Sequence, residues 1–204
     1  MVYLDLKSIF DKQGIFSSAQ AISLFSTFDK ANFGRWCKKG WVIKLRNGLY
    51  AFPEAVKVNP AFSALAANVM YKPSYVSLEY AMSMYDMIPE TVLQITSVTS
   101  LKTWHNSNAI GEFSYRTIRP DLLFGWVVPE DSHGAMIATP EKALLDFLWL
   151  NNKYNTEADM LELRLDESFM RHEFSRDLAL TWLERFHSHA LYNRFNLLLK
   201  VYNI

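Results

Sequence analysis

The chain predicts an α+β fold in two parts, and three observations carry the prediction. Residues 29–52 read as a basic helix followed by a tight β-hairpin. Residues 92–138 hold stretches that alternate polar and apolar side chains, as half-buried strands do. From Pro140 onward, apolar residues recur at helical spacing. Charge divides the chain in a similar way. Residues 1–52 carry eight Lys or Arg against three Asp, a net of +5, whereas residues 53–204 carry thirteen against eighteen, a net of −5. No proline precedes Pro53. The expected domains are therefore 1–52 and 53–204, the second strand-rich at 92–138 and helical at 140–204.

Leu4 to Lys12 is the first expected helix, with Leu6, Ile9 and Phe10 inward and Gly14 ending it. Ser17 or Ser18 caps a second, running to about Phe25 with Ala19, Ile22 and Phe25 on its apolar side. The third runs from Asp29, a good N-cap, to Lys39, and Gly40 closes it. Phe33, Trp36 and Cys37 share its inner face. Ala31, Arg35 and Lys38 point the other way, with Asn32 and Lys39 at the edges. Asn47-Gly48 favours a two-residue type I′ turn, which sets Leu45 opposite Tyr50 and Ile43 opposite Phe52. Trp41, Ile43, Leu45, Tyr50 and Phe52 then form one buried face, and Lys44 and Arg46 lie on the other. Three helices and a two-stranded wing match the winged version of the helix-turn-helix.

That pairing suits duplex DNA. Asn32, Arg35 and Lys38 are the candidate major-groove residues, because Arg grips guanine bidentately, Asn grips adenine and Lys neutralises phosphate. Lys39, Lys44, Arg46 and Asn47 are candidates for phosphate or minor-groove contact. Thr27 and Lys30 stand at the start of the third helix, where backbone amides and hydroxyls meet phosphate. Each element taken singly also reads as a solvated basic helix or an ordinary hairpin.

A linker is expected at Pro53 to Val58. Asn59 then caps a helix with Pro60 at N1, running to about Val69. Lys72 and Pro73 break the chain, and Ser77 caps a helix with Leu78, Ala81, Met82 and Tyr85 at apolar spacing. Strands are expected at Val92–Thr99, Glu112–Ile118, Leu122–Val128 and Ala135–Ala138. Helices follow at Pro140–Leu150, Glu157–Leu163, Arg176–Phe186 and Ala190–Tyr202.

The residues argue against most catalytic classes. No two glycines lie within five residues of each other, which removes phosphate-binding loops and the nucleophile elbow. A metal-dependent nuclease needs an acid ahead of an acid-x-Lys pair, and the only such pair, Asp5-Leu6-Lys7, has no acid before it. His187-Ser188-His189 lacks the acids or thiols that would complete a zinc site. Glu141, Lys142 and Asp146 could form a catalytic cluster, but Thr139-Pro140-Glu141 is accounted for as a helix start. Met82, Met84 and Met87 with Tyr80 and Tyr85 read as core rather than as an adaptable surface. The single cysteine, Cys37, excludes an internal disulfide and reads as a core thiol. No enzyme, cofactor or metal is expected. No apolar run reaches membrane-spanning length and Met1 to Ile15 lacks a signal-peptide core, so the expected location is cytoplasmic.

Three blocks in order carry a resemblance. They are Lys38-Lys39-Gly40-Trp41-Val42-Ile43-Lys44-Leu45-Arg46-Asn47-Gly48-Leu49-Tyr50, Pro73-Ser74-Tyr75-Val76-Ser77-Leu78-Glu79-Tyr80-Ala81, and Ile137-Ala138-Thr139-Pro140-Glu141-Lys142-Ala143-Leu144-Leu145-Asp146. Over about residues 5–150 the chain resembles the AbiEi family of abortive-infection antitoxins, also described as predicted transcriptional regulators of viral defence. The resemblance implies a prokaryotic protein that binds repeats in its own promoter and represses it. It also implies an antitoxin domain that counters a nucleotidyltransferase-type toxin encoded next door, in a scheme where the two need not touch. Asp86 stands where that family usually turns through a glycine. Two further classes stay open: a winged-helix docking module whose acidic half binds a basic partner, and a nucleic-acid-processing enzyme with acids drawn from Glu79, Glu112, Glu141 and Asp146.

Overall fold

The computed structural model describes residues 2–25, 28–59 and 61–204. Thr27 and Pro60, two residues given roles above, lie outside the described residues. The fold is mixed α+β.

Helix α1 (Val2–Phe10) buries Leu6 and Phe10 along a narrow stripe; Ile9 falls off it and is 52% exposed, contrary to expectation. Strand β1 (Ile15–Ser17) follows, where a loop was expected. It leads into α2 (Ser18–Leu24), whose N-terminus is a reciprocal capping box. The Gln20 amide donates to Ser17 Oγ at 3.1 Å, and the Ser17 amide donates to Gln20 Oε1 at 2.7 Å. Because β1 fixes the entry of the chain, Ala21 is the inward residue of α2, and Ala19 and Ile22 are turned to solvent. Helix α3 is Ala31–Lys38, shorter than expected by its first two residues and its last.

The hairpin differs from expectation in register. Strands β2 (Ile43–Arg46) and β3 (Leu49–Ala51) pair Ile43 with Ala51, Lys44 with Tyr50 and Arg46 with Leu49, leaving Leu45 as an extra residue. Only Gly48 of the turn pair has positive φ, at 76°, so the turn is not type I′. A bulge of this kind breaks the two-residue alternation. Lys44 therefore shares the face of Tyr50 and Arg46 the face of Leu49, so the two cations expected side by side face opposite ways. With β1 on its other edge, β3 is the centre of a three-stranded antiparallel sheet ordered β1-β3-β2. Both of its faces are covered. Tyr50 and Phe52 join Leu6, Phe10, Phe16, Phe33 and Trp36 in a small aromatic core, while Ile15, Leu45, Leu49 and Ala51 enter the larger core of the rest of the chain. Trp41, expected inside, is 41% exposed, and Cys37 is half-buried.

Residues 53–58 are not a linker but helix α4 (Pro53–Val58), started by proline at N1. Asn59 Oδ1 accepts from the Ala61 amide at 2.9 Å ahead of α5 (Phe62–Met70). Strand β4 (Ser74–Val76), unexpected at three residues, precedes α6 (Leu78–Met84). Asp86 takes the left-handed conformation (φ 56°) otherwise favoured by glycine. Then come β5 (Ile95–Thr99), β6 (Trp104–Asn108), β7 (Gly111–Thr117), β8 (Trp126–Val127) and β9 (Ile137–Ala138). Most of the expected strand at Leu122–Val128 is loop. The six-stranded mixed sheet is ordered β6-β7-β5-β4-β9-β8, with β5/β7 and β4/β9 parallel. Helix α5 covers one face, where the Tyr115 hydroxyl donates to the Ala67 carbonyl at 2.8 Å. Helix α7 (Pro140–Leu150) covers the other, where Arg116 donates to the Leu150 carbonyl at 2.9 Å. Helices α8 (Glu157–Glu162), α9 (Glu167–His172), α10 (Arg176–Glu184) and α11 (His189–Tyr202) complete the chain, α9 being unexpected. Among the described residues, no helix is long and apolar enough to cross a membrane.

Candidate nucleic-acid interface

Aromatic packing sets the aim of α3. Phe33 stacks on Tyr50 with ring centroids 4.7 Å apart, and Phe28 packs on Phe33 at 4.8 Å and on Trp36 at 5.6 Å. With Phe33 and Trp36 buried, helical geometry turns the opposite face outward. Ala31, Arg35, Lys38 and Lys39 are exposed, as is Lys30 just before the helix, and Asn32 is half-buried. These residues come together as expected. Thr27 lies outside the described residues.

Asp29 does more than cap. Its Oδ1 accepts from the Ala31 amide at 2.9 Å, while its Oδ2 holds Arg35 Nη2. The residue best suited to grip guanine is thus already bound to a carboxylate. Both partners are more than half exposed, so the pair is worth about 1 kcal/mol at most and can be exchanged for a base edge. Lys39 is also engaged: its Nζ lies 4.6 Å from the centroid of Trp41, which packs on Tyr3 at 4.9 Å. An aromatic shelf under a cation orients it without neutralising it.

The hairpin cations pair on opposite faces of the strand pair. Lys44 lies on the α3 side, where its charge opposes the rise that burial imposes on the Cys37 thiol pKa. Arg46 faces the large sheet, and its charge opposes the rise that burial imposes on Tyr115. Both cations nevertheless border one groove of about 520 Å³, lined by Lys44, Leu45, Arg46 and Asn47 of the hairpin and by Trp104, Asn106, Ser107 and Asn108 of β6. Asn106 and Asn108 each donate from Nδ2 to the carbonyl of the bulged Leu45, at 3.1 and 3.0 Å. The edge strand of the large sheet thereby fixes the hairpin. This clamp was not legible, because the polar run Trp-His-Asn-Ser-Asn carries no strand signal.

Three of the four acids considered as an enzymatic alternative, Glu112, Glu141 and Asp146, are each placed apart or already engaged. Glu141 Oε1 accepts from the Ser175 amide at 2.9 Å, ahead of α10, and Glu112 is exposed on β7. Lys142 and Asp146 are fully buried and paired to each other. Asp146 Oδ2 also accepts from the Tyr75 and Ser77 hydroxyls, each at 2.9 Å, and Lys142 Nζ donates to Tyr75 Oη at 2.7 Å. The Lys142 ammonium sits 4.8 Å from the centroid of Phe124 and 5.2 Å from that of Phe186. Burial pushes the lysine pKa down and the aspartate pKa up, and the ion pair opposes both shifts. This network joins the second and third motif blocks, tying β4 to α7. Among the described residues, no group of three or more His, Cys, Asp and Glu is placed to hold a metal.

No family model matches the chain, and no curated protein matches it.

Proposed function

We propose that residues 1–52 are a winged helix that binds duplex DNA, and that the protein is a transcriptional regulator of the AbiEi antitoxin type. On this reading it represses its own promoter from the cytoplasm, needs no cofactor, and counters a nucleotidyltransferase-type toxin through residues 53–204. The observation that carries the DNA reading is the outward face of α3, where Arg35, Lys38 and Lys39 stand exposed beside Lys44 while Phe33 and Trp36 anchor the opposite face. A face of cations carrying only one partnered carboxylate, Asp29, suits a polyanion. Charge supports it further, since the basic excess lies in residues 1–52. Support for the antitoxin part is the three motif blocks.

The test is binding of the purified protein to its own upstream DNA and to a scrambled duplex across a salt series. Preference for the upstream fragment, fading steeply with salt, is the expected result. Arg35→Ala will reduce the discrimination between the two duplexes. Lys44→Ala will weaken binding to both and lower the salt slope by about one. Arg46→Ala will change the slope less than Lys44→Ala, because the bulge turns Arg46 toward the large sheet. Binding unchanged in all three variants would remove this surface, and no binding of either duplex at any salt would remove the DNA reading and leave residues 53–204 as the place to seek function.

A further inference from the structure

A cleft of about 380 Å³ opens where the two cores meet, away from the outward face of α3. Its accessible apolar wall is Leu65 and Val69 of α5, half-buried, while Ile15, Phe16 and Leu49 of the small sheet line it from behind with their side chains buried in the two cores. Lys72 and His133 stand at its rim, both exposed, and neither takes part in an ion pair among the described residues. None of the described residues lining it is acidic. Gln13, Ser17 and Gln20 supply hydrogen-bonding groups. Gln20 spends its Oε1 on the Ser17 amide, which leaves its Nε2 hydrogens to donate. The size lies within the range of small-molecule sites, and an apolar floor with a few convergent polar groups is their usual composition.

We infer that this cleft binds a small organic anion with an apolar body, its acid group between Lys72 and His133 and its body on Leu65 and Val69. The inference is independent of the DNA reading. A ligand seated there touches both cores, so occupancy stabilises the folded chain by mass action.

The probes are anilinonaphthalene sulfonate and its uncharged counterpart N-phenylnaphthylamine, followed by fluorescence. The sulfonate will bind at one saturable site and more tightly than the amine. Lys72→Ala will weaken the sulfonate by about two- to fivefold, the range of one partly solvated charge pair, His133→Ala will weaken it through the lost imidazole N–H donor, and both will leave the amine unchanged. Val69→Trp will block both. Amide NMR of the wild type gives a readout that needs no variant: the signals of Gln13, Ser17, Gln20 and Leu65 will move together with sulfonate concentration. Absence of saturable binding, indifference of the sulfonate to both the Lys72 and the His133 substitution, or shifts confined to other residues would each overturn the inference.

Discussion

At the residue scale, Lys142 and Asp146 carry a cost that their spacing does not reveal. At i, i+4 on a helix they have the spacing of a solvated surface pair, yet both are fully buried. Taking two ions out of water costs several kcal/mol each, and their attraction offsets this only when the remaining polar groups are satisfied. Tyr75 and Ser77 do that for the carboxylate, and three aromatic rings surround the ammonium. Lys142→Met should therefore cost about 3–5 kcal/mol, because it strands a buried carboxylate. The double variant Lys142→Met, Asp146→Leu should recover most of that loss, and urea unfolding of the three proteins measures both. The buried phenols set the alkaline limit. Burial raises the pKa of Tyr75, helped by the adjacent Asp146, and that of Tyr115 above the ordinary value of 10.0. A raised folded-state pKa favours the protonated form, so this stability is fully present below pH 10 and is lost as pH rises above it. Stability should fall with pH above 10, less steeply in Tyr75→Phe and Tyr115→Phe, as denaturation midpoints across that range will show.

At the scale of elements, Asp29 couples the shape of α3 to its charge, and two substitutions separate the roles. Asp29→Asn keeps an oxygen for the Ala31 amide but frees Arg35 and removes a negative charge from the outward side of α3, the side proposed to meet DNA. Tighter DNA binding with little change in stability is expected, by about two- to fivefold if the lost pair is worth up to about 1 kcal/mol. Asp29→Ala should also free Arg35 but cost about 0.5–2 kcal/mol through the lost cap. Fluorescence anisotropy with DNA and thermal melts distinguish them; equal DNA affinity in wild type and Asp29→Asn would separate Arg35 from binding. Elements with long apolar periodicity or strong caps were legible: α7 falls at Pro140–Leu150 as expected, and Thr139 caps it. So were the capped start of α2 and the outward Arg35 and Lys38. Short elements were not. Strands β1 and β4 have three residues each, too few to show a period. Strand β6 is held by its neighbours β7 and β2 rather than by its own apolar pattern. The hairpin turn was placed correctly, but the bulge at Leu45 is set by a clamp sixty residues away in sequence, from Asn106 and Asn108, so the faces of Lys44 and Arg46 were misassigned.

The whole molecule does not divide at residue 52 as cleanly as its charge does. The aromatic core around Phe16 belongs to the N-terminal residues, but Ile15, Leu45, Leu49 and Ala51 are buried in the core of the remainder. Strand β3 has one face in each, so neither side of the boundary is closed without the other. Cutting there would expose those four apolar residues to water and remove the Asn106 and Asn108 donors from the Leu45 carbonyl. Small units are already marginal, since a chain of this size buries a low fraction of its surface. Residues 1–52 expressed alone should therefore melt well below the full chain, with loss of the near-ultraviolet signal of Trp36 and Trp41. Within the full chain, Leu49→Ala should cost about 2–5 kcal/mol, the range for truncating a buried leucine. That loss should appear equally in probes of both cores, because unfolding is expected to be one cooperative transition. Trp36 and Trp41 fluorescence, with the other tryptophans replaced, reports the N-terminal core, and far-ultraviolet circular dichroism is dominated by the helices of the remainder. Coincident urea midpoints for the two signals, shifted together by Leu49→Ala, are the expected outcome. Separate midpoints would mean that the N-terminal unit is an independent domain after all, and that the basic face of α3 is carried on a body free to move relative to the acidic one.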